Sequence, residues 1–218
     1  MSFVVRIIKT CVHILYPSTC ISCGTYDLPL CNRCRKPYLQ THKRTSEGFY
    51  GCASYSDFLL RSLIVTLKQK PSTQIAHVCA ILIHNCIISE IIKTSVTTIS
   101  VIPLPRTGKK LQKIGHDQMN IIGQELIDIL KKKNFSANLY KSTLKNTSNT
   151  EHHKLTKIKR IAISKSQFIF THQKPPRDSL IILCDDIITS GSTMRAAYDL
   201  FTKDGYHSIV GVSLLIKE

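Results

Sequence analysis

Cys20, Cys23, Cys31 and Cys34 form two Cys-x-x-Cys pairs with seven residues between them. Each such pair lets two thiolates turn toward one ion, and two pairs supply four soft ligands in a tetrahedron, the donor set of a closed structural zinc site. Two disulfides or four ordinary buried thiols are the alternatives. Nine cysteines in 218 residues fall below the density of a disulfide scaffold, and an odd number cannot pair completely within one chain. A reducing compartment and a metal are therefore expected. Four sulfur ligands leave no open position, so the ion would fold its module without performing chemistry. Cys11 and His13 stand nearby but share a helix-spaced apolar stretch with Val4, Ile7, Ile8 and Leu15, where packing is the expected role.

A second pattern starts with the apolar run Leu180-Ile-Ile-Leu-Cys184, continues through Asp185 and Asp186, and ends in Thr189-Ser190-Gly191-Ser192-Thr193. It reads as a buried strand over Leu180–Cys184, a polar loop over Asp185–Thr193 and a helix from Met194 to Lys203. Backbone N–H groups at the helix start, with the hydroxyls of Thr189, Ser190, Ser192 and Thr193, can cradle a phosphate, and Gly191 permits close backbone approach. The two carboxylates repel that phosphate and should face either vicinal sugar hydroxyls or Mg2+ accompanying a second phosphate group. Together the halves imply a phosphorylated sugar. An acidic turn at a strand end, followed by a Ser/Thr helix cap, is the bland alternative.

Charge supplies the third feature. Thirty Lys and Arg against fourteen Asp and Glu give +16 with His neutral, a balance that suits polyanionic partners. Residues 106–178 hold sixteen of the basic residues and only five acidic ones. Lys109 and Lys113 stand beside Arg106 and Lys110 ahead of a predicted helix, and Lys154, Lys157, Lys159 and Arg160 cluster in a polar stretch. A diphosphate needs only a few cations, so these residues are expected to contact a longer nucleic acid; a solvated Lys-rich surface is the alternative. Stacking partners are scarce, because Phe168 and Phe170 alternate in a predicted strand and read as core.

The elements that must position these groups follow from hydrophobic periodicity. An N-terminal helix and four-cysteine module occupy residues 1–47, and a single α/β domain occupies residues 48–218. Helices are expected over Asp57–Lys68, Gln74–Lys93 and Met119–Lys133, with a buried strand over Val96–Ile102 and a mobile loop over residues 141–160. Leu180–Cys184, the helix after it and the apolar run Ser208–Ile216 make a βαβ unit. Strands alternating with helices predict a mostly parallel sheet covered by helices, whose ligands bind beyond the carboxyl ends of the strands.

Composition excludes wholesale disorder, since 43% of residues are hydrophobic and can form a core. Arg6 and Lys9 interrupt any export-signal core in the opening segment. Ile75 to Ile92 is the most apolar long stretch, yet His77, His84, Asn85 and Glu90 lie inside it, which predicts a buried domain helix and no membrane span. A cytoplasmic protein is expected.

The stretch Asp185–Thr193 resembles the phosphoribosyl pyrophosphate (PRPP) loop of type I phosphoribosyltransferases. A four-cysteine knuckle ahead of such a domain resembles the ComF family of competence proteins. Further pieces agree in order: Leu67-Lys68 at a helix end, Ile102-Pro-Leu-Pro105, a basic loop through Gly115 and Gln118, and a loop carrying Leu155 and Arg160. Ile114, His116 and Asp117 depart from the family's usual Arg, Phe and Asn, and His152 from its usual Gln. The resemblance implies that Asp185 and Asp186 hold ribose hydroxyls and that Thr189–Thr193 hold the 5′-phosphate. The region opened by Arg106 and Lys110 would meet Mg2+-pyrophosphate. It also implies action on single-stranded DNA imported during natural transformation, with DNA-uptake or recombination proteins as further partners. A metabolic transferase joining PRPP to a base or amine is the competing expectation, although Thr189 stands where hypoxanthine-guanine transferases place an acidic base. A nonenzymatic zinc-bearing DNA-binding module is the third.

Overall fold

The computed structural model describes residues 18–40, 42–94, 96–105, 117–147 and 167–217. The expected N-terminal helix, with Cys11 and His13, lies outside the described residues. Two long apolar runs organise the rest: β9, Leu180–Ile188, and β10, Ile209–Ile216, pair in parallel from Ile181 opposite Ile209 to Ile188 opposite Ile216. Between them runs α5, Ser192–Lys203, completing the βαβ unit. The strand is longer than expected. The β-branched pair Ile187-Ile188 carries it past the two carboxylates, so Asp185 and Asp186 sit on β9 and not in a loop. The helix starts at Ser192 and not at Met194, which leaves only Thr189, Ser190 and Gly191 between the two elements.

Six strands make the main sheet, in the order β3-β4-β10-β9-β5-β6. Here β3 is Lys43–Arg44, β4 Tyr50–Ser54, β5 Thr98–Pro103 and β6 Ser136–Leu139. All neighbours are parallel except β3, which runs antiparallel to β4 at the edge. From β5 the chain moves outward to β6 and then returns to β9 on the other side of β5, which makes the gap between β5 and β9 a topological switch point. Such points open a crevice beyond the carboxyl ends of the strands.

Helices cover both faces. On one face Leu180, Ile182 and Cys184 of β9 join Ile99 and Val101 of β5 in a core shared with α2 (Phe58–Gln69), α3 (Thr73–Lys93) and α4 (Gln118–Lys132). On the other, Ile181 and Leu183 meet Met194, Ala197 and Phe201 of α5, as the two-residue period of a strand requires. Side chains start three helices: Asp57 accepts from the Leu60 N–H at 2.9 Å, Ser72 from Ile75 at 3.3 Å and Asp117 from Met119 at 3.0 Å. Each satisfies an N–H that the helix leaves without a partner. By length and composition α3 could cross a bilayer. It is instead a core helix, with ten side chains buried. Part of the polar stretch 141–160 is structured: β7, Leu144–Asn146, pairs antiparallel with β8, Phe168–Phe170.

A polar seam joins α3 to α4. His77 Nδ1 lies 3.1 Å from Glu125 Oε2. One heptad on, buried His84 Nε2 has no partner among the described residues. Burial first, and the Lys133 charge second, lower the His84 pKa, so the folded protein keeps this imidazole neutral. Falling pH protonates it in the unfolded chain before the folded one, so stability drops as pH passes down through the ordinary histidine range. The urea midpoint is expected to fall between pH 7 and pH 5, and His84→Gln, which cannot titrate, should lose measurably less over that interval.

Candidate functional site

The four cysteines converge. Their sulfur atoms all lie within 4.8 Å of one another, with Cys20 and Cys31 buried and Cys23 and Cys34 half-buried. Cys23 and Cys31 sulfurs are 3.7 Å apart, too far for a disulfide but close to the ~3.8 Å edge of a tetrahedron whose metal–sulfur bonds are about 2.3 Å. Local turns create the approach. Strands β1, Ser18–Thr19, and β2, Tyr26–Asp27, pair around the first Cys-x-x-Cys, and the Gly24 N–H donates to the Cys20 carbonyl at 2.8 Å. Gly24 has φ +74°, a left-handed turn suited to glycine. The second pair straddles the start of α1, Asn32–Gln40, where helix N–H groups favour thiolate.

Proton affinities inside the cluster diverge, as expected of four sulfurs sharing one small space. The Thr25 hydroxyl, then its backbone N–H and Cys34, lower Cys23 to about 6. At Cys31 the Cys34 backbone N–H lowers the pKa, but burial and the three neighbouring sulfurs outweigh it and push the thiol up to about 11. A bound cation removes that conflict, so the donor set fits zinc. Arg33 reinforces it, since interaction with Cys23 and Cys34 raises the guanidinium's own pKa. The remaining described cysteines are core thiols: burial pushes Cys79 up to about 12 and, with the Asp185 charge second, raises Cys184.

At the switch point the acidic pair divides. Asp186 points toward the helices of the α2–α4 face, where its Oδ2 accepts from Lys68 Nζ at 2.7 Å and from Gln118 Nε2 at 3.0 Å. Asp185 lines the cradle formed by Thr189 to Thr193, and its Oδ1 accepts from the Asp186 N–H at 2.8 Å. Gly191 begins α5 in the left-handed conformation, φ +75°, with no side-chain cap bond. The hydroxyls of Ser190 and Ser192 lie 3.0 Å apart. This cradle can bind an anion through backbone N–H groups and hydroxyls.

Arg106, Lys109, Lys110, Lys113, Lys154, Lys157, Lys159 and Arg160 lie outside the described residues. The described ends of their segments nevertheless meet. The Asn146 amide donates to the Pro105 carbonyl at 3.3 Å, Thr147 N–H donates to the Gln167 carbonyl at 3.0 Å, and Gln167 Nε2 donates to Thr193 Oγ1 at 3.4 Å. Pro105, Thr147 and Gln167, which border the segments 106–116 and 148–166 in the chain, are thus linked to the anion cradle; those two segments hold nine Lys and Arg and one Glu.

Sequence reasoning missed three contacts. Lys68 and Gln118 each lie more than sixty residues from Asp186 in the chain, so no local pattern announces their contacts with it. Arg195 was missed altogether; its Nε donates to Glu47 Oε2 at 3.1 Å. That carboxylate would lie 3.3 Å from a Cβ at position 191, so the turn before β4 packs against the cradle at Gly191. An i, i+4 relation between Gly191 and Arg195 was the only available signal.

Two outcomes follow. Purified protein is expected to carry one zinc per chain by elemental analysis, and Cys31→Ser should lose it to a chelator that leaves the parent loaded. Lys68→Met strands a buried carboxylate and should cost about 1–3 kcal/mol in urea unfolding; adding Asp186→Asn should recover most of that loss. Comparison with protein-family models and with curated proteins finds no match for this chain.

Proposed function

We propose that this is a ComF-type competence factor with a type I phosphoribosyltransferase-like domain. In this reading it binds PRPP with Mg2+ and single-stranded DNA, and acts in the cytoplasm on DNA imported during natural transformation. One observation carries the reading. An anion cradle, a carboxylate beside it and the roots of two strongly basic segments gather beyond the carboxyl ends of β5 and β9, downstream of a four-sulfur cluster.

Each group has a defined task in this scheme. The N–H groups opening α5, with the hydroxyls of Thr189, Ser190, Ser192 and Thr193, hold the 5′-phosphate. Asp185 accepts from ribose hydroxyls. Asp186 carries its own counter-ion in Lys68, so it acts from behind, fixing Gln118 and the end of α2. Arg106 and Lys110 would meet the pyrophosphate, where Mg2+, if bound with it, would supply charge neutralisation for that leaving group. Lys109, Lys113, Lys154, Lys157, Lys159 and Arg160 supply phosphate contacts to the strand, which carry affinity without reading sequence.

Calorimetry with PRPP and Mg2+ tests the first half. Asp185→Asn removes charge at constant size and should weaken binding by about tenfold or more, the scale of one charge-assisted hydrogen bond. Unchanged affinity would remove Asp185 from the site. Anisotropy of a labelled single strand across a salt series tests the second half. Replacing Lys154, Lys157, Lys159 and Arg160 with Ala should weaken binding and flatten the salt slope by about 0.7 per lost phosphate contact. Pyrophosphate release with a free base or amine, in protein that ignores DNA, would favour the metabolic transferase.

A further inference from the structure

A cleft of about 580 Å³ separates the four-cysteine module from the edge of the main sheet. Its volume falls in the range of small-ligand sites. Pro37 and Tyr38 of α1 and Leu59 of α2 line it, with Ser54, Ser56 and Asp57 where β4 gives way to α2. The Tyr38 hydroxyl donates to Asp57 Oδ2 at 2.9 Å, which locks the ring as a wall. Ser56 Oγ donates to Ser54 Oγ at 3.0 Å, so two hydroxyls with further hydrogen-bonding capacity sit together in the cleft.

The surroundings are cationic and aromatic. From Leu28 to Ser46 the chain has five Lys and Arg and no acidic residue. Arg33, Lys36, Lys43 and Arg44 are exposed, and Lys43 also lines the cleft. Phe58, next to Asp57 in the chain, is 78% exposed, so its ring is free to stack on a planar group. A slot walled by Pro37, Tyr38 and Leu59, with hydroxyls and a carboxylate inside, Lys43 on its lining and an exposed ring next in the chain to that carboxylate fits one ligand chemistry best: a planar base with a hydrogen-bonding edge, joined to phosphates on both sides.

We infer that this cleft receives a base of a single-stranded polynucleotide, with the flanking phosphates on the Lys43 side and the neighbouring base on Phe58. A duplex keeps its base edges stacked inside and cannot enter such a slot. The site is separate from the anion cradle, because α2 leads from Asp57 at the cleft to Lys68 at Asp186, and its twelve residues span about 18 Å. The inference rests on the nucleic-acid half of the function proposed above and adds a second contact region to the basic segments at the switch point.

Fluorescence anisotropy of labelled oligodeoxythymidylate at low salt, with the full chain, supplies the test. Two variants act differently: Ser56→Trp fills the slot from an exposed position, and Lys43→Ala with Phe58→Ala removes the rim contacts. Thermal melts and zinc content report whether either disturbs the fold. Each variant is expected to weaken strand binding by about 5- to 150-fold, the range for loss of one stacked base, and the double variant should also flatten the salt slope. A bromodeoxyuridine-substituted strand should photocrosslink within residues 32–61. Folded variants with parental affinity, together with crosslinks only in residues 106–116 or 148–166, would overturn the cleft assignment and leave nucleic-acid binding intact. Absence of strand binding by the parent protein would instead overturn the nucleic-acid reading, and this inference with it. Strand binding that duplex or anionic phosphatidylglycerol vesicles compete equally well would also overturn it, because neither can place a base in the slot.

Discussion

Neighbouring side chains leave a strand on opposite faces, and that rule decides what Asp185 and Asp186 can do. Had they stood in a loop, both could have turned toward one ligand. On β9 they are separated: Asp186 goes to the α2–α4 face, where burial would penalise its charge without a partner, and Asp185 stays with the cradle. Lys68 and Gln118 both address the same oxygen of Asp186, at 2.7 and 3.0 Å. Consequently the end of α2 and the start of α4 are fixed to the middle strand of the site. The Gln118 amide orientation follows too, since only its N–H group can face the carboxylate. Its other atom, Oε1, is left buried without a partner among the described residues.

The remaining geometry depends on the sheet order. Because the chain reverses direction between β6 and β9, the carboxyl ends of β5 and β9 are adjacent while the loops after them diverge to opposite faces. Pro105, Asn146, Gln167 and Thr193 are tied by hydrogen bonds across this gap. Described residues that border two basic segments of the sequence thus meet within one small region, although they are distant along the chain.

Much of this arrangement could be read from the chain, and the failures have physical causes. The βαβ unit was legible because Leu180–Cys184 and Ile209–Ile216 are apolar runs too short for helices, separated by a helix-spaced segment. The end of β9 was not, since two aspartates look like a turn when the partners that compensate them are unknown. Strand β4, Tyr-Gly-Cys-Ala-Ser, lacks the β-branched residues that mark strands. It is held by position instead: a Cβ on Gly51 would lie 2.3 Å from an Ile216 side-chain carbon, so close packing against β10 sets that residue. Strand β6 is polar at Ser136 and Asn138 and depends on its ladder with β5. Helix α1 contains Pro37 and buries no residue fully, leaving no periodicity to detect. Cysteine spacing alone announced the module that contains it.

The module and the domain are not independent in the fold. Tyr38 of α1 donates to Asp57, which also caps α2, and the Asn85 amide of α3 binds the Leu39 carbonyl. Further along, Glu47 in the turn between β3 and β4 pairs with Arg195 and lies against Gly191. A small module without a large core of its own depends for its order on such docking contacts, and would gain further order from a metal held by its four cysteines. The same contacts connect four sulfur atoms, through α1 and the β3–β4 turn, to both the cap of α2 and the anion cradle at Gly191. Disordering the module would therefore withdraw support from Asp57 at one end of α2 and from Gly191 at the start of α5. A four-cysteine cluster that does not line the anion cradle can in this way still set the cradle's geometry.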